Sequence, residues 1–262
     1  MLLKDKVVII SGIGPGLGIK LALEAARQGA KLAIAARTAS KLKEAEQEIA
    51  ALGLGTEVIS QPTDIADRAQ CKALVDATIK RFGRIDSLIN SAYNPGKFEI
   101  IEKADLNDWR EVMDVNLFGT MNLTLETVPH MKKQGGGAVV MVNTMVTRRP
   151  LMTQAGYGAS KLALVGATQH LALELGQYGI RVNSTFMGWM WGPPVEGFMK
   201  AQEQATGVSV AEQKAAVAKN IPLGAIPEDG DCGKAAIFLA SDYSCAMTGA
   251  CLDVNGGEYM AH

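Results

Sequence analysis

Val7-Val8-Ile9-Ile10-Ser11-Gly12-Ile13-Gly14-Pro15-Gly16-Leu17-Gly18 stands almost at the start of the chain and decides how the rest is read. A β-branched apolar run passes straight into a glycine cluster and then into a segment with helical periodicity. Glycine at 12, 16 and 18 removes the side chains that would block a tight turn, a pyrophosphate against bare backbone, and close packing of helix on sheet. Phosphates placed there would meet the amino end of the helix and its positive dipole. The spacing is G-x-x-x-G-x-G, and Gly14 and Leu17 inside it are counted with Gly12, Gly16 and Gly18 as nucleotide-binding candidates.

Outward from this turn, short apolar runs alternate with helix-sized stretches. The runs cover 7–10, 32–36, 58–60, 87–90, 139–143, 182–186 and 252–254, and the helical stretches include 17–28, 41–52, 69–82, 109–132 and 157–177. Runs that are apolar on both faces suit a parallel sheet covered on both sides. The rhythm predicts right-handed β-α-β units and a Rossmann-like, doubly wound α/β sheet, with its ligand at the carboxyl ends of the strands. The stretch Gly135-Gly136-Gly137 reads as a helix stop. One domain over residues 1–262 is expected, with one departure from the rhythm: residues 193–222, bounded by prolines, read as a lid with a short helix at 211–219.

Composition narrows the partners. Lys and Arg number 26 against 27 Asp and Glu in 262 residues, so no field favours nucleic acid or an anionic membrane, and a small-molecule substrate is expected. No apolar run approaches the roughly 18 residues that span a bilayer, and the opening MLLKDKVVII lacks the pattern of a signal peptide, which points to a cytoplasmic protein. Cys71, Cys232, Cys245 and Cys251 form no CxxC pair and read as reduced thiols, while His130, His170 and His262 lack metal-ligand spacing, so no catalytic metal is expected.

Two features carry chemistry. At the end of the second strand stands Ala36-Arg37, with no carboxylate to accept from a ribose 2′-hydroxyl and a guanidinium able to pair with a 2′-phosphate, so NADP(H) is favoured and NAD(H) is the alternative. The plainer alternative for Arg37 is a solvated arginine opening the next helix. Tyr157 and Lys161 stand four apart on a helix, which puts them on one face and the ammonium beside the phenol. A neighbouring positive charge favours the phenolate, so the same group could give or take a proton near neutrality.

These motifs together resemble the short-chain dehydrogenase/reductase family, in its single-domain branch, over residues 4–257. The likeness rests on the glycine turn, Asp64-Ile65, Asn90-Ser91-Ala92, Asn116 in Val-Asn-Leu-Phe-Gly, Tyr157-x-x-x-Lys161, Ile180-Arg181-Val182-Asn183, and Thr248-Gly249 with Asp253-Val254-Asn255-Gly256-Gly257. It implies seven parallel strands, a homotetramer or homodimer, and an enzyme that moves a hydride between a nicotinamide dinucleotide and an alcohol or carbonyl. It implies that Tyr157 is the acid-base, that Lys161 holds the nicotinamide ribose and lowers the tyrosine pKa, and that Asn116 anchors a proton-relay water. The family's serine is replaced by Thr144, which keeps the hydroxyl. Asp64, Ile65, Asn90, Ala92, Gly188 and Met190 are implied beside the nucleotide.

Three further departures are Tyr93 where the family has glycine, Met187 for proline, and Gly192 where a threonine often contacts the cofactor's amide or phosphate. Large apolar residues, Met145, Met152, Trp189, Met190, Trp191, Phe198 and Met199, together with Tyr93, suggest a bulky hydrophobic substrate, steroid-like or aryl-alkyl. Core or subunit packing is the other reading of the tryptophans and Met145. Arg148-Arg149 reads as a solvated loop pair, or as a receptor for a substrate anion. Two other classes stay open: an NADP(H)-binding sensor with a decayed site, and a lyase or isomerase on the same scaffold.

Overall fold

A computed structural model describes residues 1–261. Its seven strands are β1 (Val7–Ser11), β2 (Lys31–Ala36), β3 (Val58–Pro62), β4 (Ser87–Asn90), β5 (Gly137–Thr144), β6 (Ile180–Met187) and β7 (Cys251–Val254). All pairings are parallel, in the order β3-β2-β1-β4-β5-β6-β7. Every strand run expected from the sequence is present, lengthened by a residue or two at most of its ends. Successive β1 residues serve opposite faces: Val8 and Ile10 join one apolar cluster and Ile9 the other, as a two-residue period requires. Helices α1 (Leu17–Arg27), α2 (Ala39–Ala51) and α9 (Asp229–Ala240) bury Leu21, Leu42 and Ile237 on the first face. On the second, α3 (Arg68–Phe82), α5 (Thr120–Gln134) and α6 (Ala155–Leu175) bury Leu74, Leu123 and Leu164.

The chain order reverses between β1 and β4, whose last residues Ser11 and Asn90 are partners. At such a switch point the loops leave in opposite directions and open a crevice. The glycine turn fills one side of it. A Cβ on Gly12 would run into the backbone nitrogen of Ala92, and one on Gly18 into the carbonyl oxygen of Gly12.

Two expectations are refined. The predicted helix 109–132 is α4 (Leu106–Met113), a π-helical segment (Asp114–Gly119) and α5. A π turn adds a residue without breaking the apolar stripe, so periodicity passes through it unseen. Gly119 permits the close approach, since a Cβ there would lie 2.8 Å from Ile65 Cγ1. Residues 193–222 hold two helices rather than one, α7 (Pro193–Thr206) and α8 (Val210–Ala218), the second opened by a Ser209/Glu212 capping box. Pro193 and Pro194 at the first turn of α7 were a start signal. Met199, Ile221 and Ile226 form a small core under this pair.

The turn geometry generates a test. Gly14 has nothing within 4 Å of a built Cβ, in contrast to Gly18. Gly18→Ala is therefore expected to cost about 1–3 kcal/mol of stability, the scale of an overpacked site, and Gly14→Ala nothing measurable. Thermal unfolding of the two variants checks this, and equal melting temperatures would mean that α1 is not held against the turn.

Candidate active site

At the carboxyl ends of the strands lie three adjoining cavities. The first, about 270 Å³, is walled by Gly12, Gly14, Gly16, Leu17 and Gly18 of the turn, by Ser91, and by Tyr157, Lys161, Gly188 and Met190. The second, about 210 Å³, lies beyond the turn between Arg37, Thr38, Lys41, Asp64, Ile65 and Ala92. The third, about 340 Å³, is bounded by Tyr93, Phe98, Met145, Leu151, Trp189 and Phe198, and no charged side chain lines it. Tyr93 borders all three.

 The polar side chains that line the third cavity are the neutral ones of Tyr93, Thr144, Gln154, Tyr157 and Trp189.

The junction of the first and third cavities is where α6 meets the end of β5. Tyr157 and Lys161 share a face of α6, and Thr144 is the last residue of β5. The Tyr157 phenol is hydrogen-bonded to the Thr144 hydroxyl. Lys161 Nζ donates to the Val142 carbonyl at 2.9 Å, and Asn143 Nδ2 donates to the Lys161 carbonyl at 3.1 Å. Asn116, fully buried in the π segment, donates through Nδ2 to the Asn94 carbonyl and to Ser160 Oγ, both at 2.9 Å, while its Oδ1 accepts from the Asn94 N–H at 2.7 Å. Ser160 Oγ donates in turn to the Tyr157 carbonyl at 2.8 Å. The side chain of Asn116 thus ties the loop after β4 to the helix turn that carries Tyr157.

Electrostatics here differ from the sequence expectation. Burial pushes the Tyr157 phenol above its ordinary range, the neighbouring Tyr93 phenol adds to this, and the Thr144 hydrogen bond opposes it. Burial also lowers Lys161 to about 8. The ammonium was expected beside the phenol, depressing its pKa. Instead its Nζ is engaged by a β5 carbonyl, and desolvation governs both groups.

Among the other candidates, Gly188 and Met190 line the first cavity, and Arg37, Asp64, Ile65 and Ala92 the second. Asn90 lines none of the three: its amide donates to Thr124 Oγ1 at 3.0 Å and to Met141 Sδ at 3.3 Å behind the sheet end, and Ser91 faces the cavities in its place. Tyr93, Met145, Trp189 and Phe198 wall the third cavity, whereas Met152, Trp191 and Met199 do not. Met152 is 81% exposed, Met199 is inside the α7–α8 core, and Trp191 packs on that core with the Lys214 ammonium 3.7 Å over its ring. Arg148 is neither solvated nor in the cavity: it pairs with Asp253 at 2.9 Å and lies over the Phe186 ring, while Arg149 pairs with Glu258 at 3.2 Å.

Sequence reasoning missed Lys41, Phe98 and Gln154. Phe98 packs on Phe198 with ring centroids 6.1 Å apart, and its signal was an aromatic residue in the loop leaving the switch-point strand. Lys41, one turn into α2, is a second cation beside Arg37. No cluster of His, Cys, Asp and Glu able to hold a metal occurs among the described residues, and no described helix is long and apolar enough to cross a membrane.

A glycine turn at the switch point of a doubly wound sheet, opening onto a half-buried tyrosine with a buried threonine and lysine, defines a nucleotide-dependent oxidoreductase scaffold. The short chain dehydrogenase model matches residues 6–203, and the chain belongs to that family. Levodione reductase of Leifsonia aquatica is 33% identical over 98% of this chain and 96% of its own. A crystal structure of levodione reductase superposes with a TM-score of 0.91, at 32% identity over 98% of each chain. Trans-4-hydroxycyclohexanecarboxylate dehydrogenase of Sinomonas cyclohexanicum is 32% identical over 97% of this chain and 93% of its own. The protein is accordingly an NAD(P)-dependent dehydrogenase/reductase acting on CH–OH and C=O groups. Both nucleotides occur among its structural neighbours: xylitol dehydrogenase holds NAD⁺ (TM-score 0.90, 26% identity, 97% of this chain and 99% of that one), and L-sorbose reductase of Gluconobacter frateurii holds NADPH (TM-score 0.93, 25% identity, 99% and 98%).

The Lys161 shift has a measurable sign. Between about 8 and the ordinary 10.5 the unfolded chain binds a proton that the folded chain lacks, so this group's contribution to stability rises with pH across that window. The unfolding free energy of the wild type relative to Lys161→Met should therefore grow from pH ~8 to ~10. A difference that is flat or falls over that range would show that the ammonium is not desolvated.

Proposed function

We propose that this protein is an NADP(H)-dependent ketone reductase and alcohol dehydrogenase for a bulky hydrophobic substrate, with Tyr157 as its general acid-base. The observation that carries the reading is the half-buried Tyr157 phenol paired with the buried Thr144 hydroxyl at the junction of a glycine-walled cavity and an apolar one. The first two cavities fit a dinucleotide on the protein's own features. Gly12, Gly14, Gly16 and Gly18 line the first cavity without side chains, and α1 has neither a side-chain cap nor an acidic residue in its first turn, which leaves its amino end free for phosphate. Arg37 and Lys41 supply two cations for a 2′-phosphate, and Ala36 offers no carboxylate to repel one.

The bound nucleotide supplies or accepts the hydride. A substrate carbonyl in the third cavity would accept hydrogen bonds from Thr144 and Tyr157, and Tyr157 would pass its proton to the oxygen as the alkoxide forms. Burial keeps the phenol protonated, the form that can donate to a carbonyl oxygen. Lys161 is assigned to the nicotinamide ribose, and Asn116 to holding the Tyr157 turn. The neutral, aromatic lining supports a ring-containing substrate, and the cyclohexane ring in the name of the Sinomonas relative's substrate accords with this. The helices α7 and α8 would serve as the lid, with Phe198 meeting Phe98 across the mouth.

Exposed apolar residues on α4 to α6, Leu106, Leu125, Leu162 and Leu173, with Phe118 between them, support self-association as a homodimer or homotetramer.

Tyr157→Phe should lower turnover of an apolar ring ketone by roughly 10² or more with nucleotide binding retained, and Thr144→Ser should be tolerated. Near wild-type turnover in the tyrosine variant would remove it from the reaction. Ala36→Asp should move the preference towards NAD(H) by placing a carboxylate against the 2′-phosphate. Comparison of kcat/KM with the two nucleotides checks this, and a wild type that uses NAD(H) better would refute the assignment.

A further inference from the structure

One buried polar atom at the first cavity, Asp229 Oδ2, has no hydrogen-bond partner among the described residues. Asp229 is the first residue of α9, is only 5% exposed, and lines the cavity together with Gly192 and the glycine turn. Its Oδ2 is buried and accepts no hydrogen bond. The backbone fixes it there: the Asp229 N–H donates to the Trp191 carbonyl at 2.9 Å, and the Trp191 N–H donates to the Pro227 carbonyl at 2.7 Å. Any Cβ on residue 192 would collide with this same Oδ2, so the carboxylate occupies the space that Gly192 leaves open. Burial raises its pKa against the opposing field of Lys20 and the Gly230 N–H. An orphaned buried carboxylate oxygen is costly, and a ligand that donates to it would recover that cost.

We propose that Asp229 is a positioning residue for the nicotinamide ring, with Oδ2 accepting a hydrogen bond from the carboxamide N–H₂ of the bound dinucleotide. The assignment rests on the reading that the nucleotide lies in the first two cavities. Phosphates have no donor to offer and are repelled by a carboxylate. The adenine amine belongs with the second cavity, beyond the turn, which Asp229 does not line. At the Tyr157 and Lys161 end the donors are the nicotinamide ribose hydroxyls, which the reading places beside Lys161, and the carboxamide, which is left for Asp229 with Gly188 and Met190; the truncated ligand, which keeps the ribose, separates the two. Orientation of that amide sets which face of the ring meets the substrate, and here the polar contact comes from the start of α9 in place of a side chain at 192.

The test is a binding cycle read by calorimetry. Wild type, Asp229→Ala and Asp229→Asn are titrated with whichever oxidised dinucleotide the wild type binds more tightly, with its 3-acetylpyridine analogue, which lacks the N–H donor, and with the matching nucleotide truncated to ADP-ribose. Loss of a hydrogen bond to a charged group should weaken binding of the intact dinucleotide to Asp229→Ala by about tenfold or more. The two other ligands should change little, and Asp229→Asn, which keeps an acceptor, should recover most of the loss. The free variants should melt no lower than the wild type, because the carboxylate is unpaired. Equal weakening of all three ligands, or tighter binding of all three on removing the charge, would overturn the assignment while leaving the nucleotide reading intact. A wild type that binds no dinucleotide would overturn both.

Discussion

The contact between Gly12 and the backbone of Ala92, closed from behind by Gly18, is the constraint on which the site depends. It joins the end of β1, the loop after β4 and the start of α1 at the point where the strand order reverses. None of the three could approach so closely with a side chain in the way. The amino end of α1 is thereby aimed along the crevice, and Ser91 and Tyr93 are set between its cavities. The polar apparatus is hung from the other wall, where Asn116 bridges Asn94 on the same loop to Ser160 on α6. One rigid frame therefore holds both halves of the crevice in register.

Desolvation is the dominant electrostatic influence within that frame. Tyr157 and Lys161 stand on one helix face, yet each is shifted towards its neutral form by burial. Coulombic support across an i,i+4 pair is modest, whereas removal of a charge from water costs far more. The Val142 carbonyl and the Thr144 hydroxyl compensate part of this, one for each group. A protonated phenol beside an apolar cavity is an acid waiting for a carbonyl oxygen.

The strands and the sheet class were legible because apolar runs buried on both faces leave a strong local signal, and the glycine turn was legible because steric exclusion requires glycine there. The π segment around Asn116 was not, since its apolar pattern is continuous with the helices on either side. Wall residues were only partly legible. Trp189 and Trp191 both pack against the α7–α8 core, and only Trp189 also reaches the third cavity, a distinction that no local pattern carries. Met199 follows Phe198 on α7, about 100° further round the helix, and is buried in that core while Phe198 lines the cavity. Arg148 and Arg149 could not be placed from local pattern, because their partners Asp253 and Glu258 lie more than a hundred residues away. Asp229 carried no motif, and only the space beside Gly192 gives it meaning.

Hydride transfer across the junction of the first and third cavities is the central claim, and isotope transfer tests it most directly. NADPH carrying deuterium at C4 of the nicotinamide is incubated with the protein and an apolar ring ketone, and the alcohol is analysed by mass spectrometry. The account predicts deuterium on the carbinol carbon when the transferred face is labelled, and none when the opposite face is labelled. Alcohol formed without deuterium from either labelled face, or no alcohol from any ring ketone with either nucleotide, would contradict it.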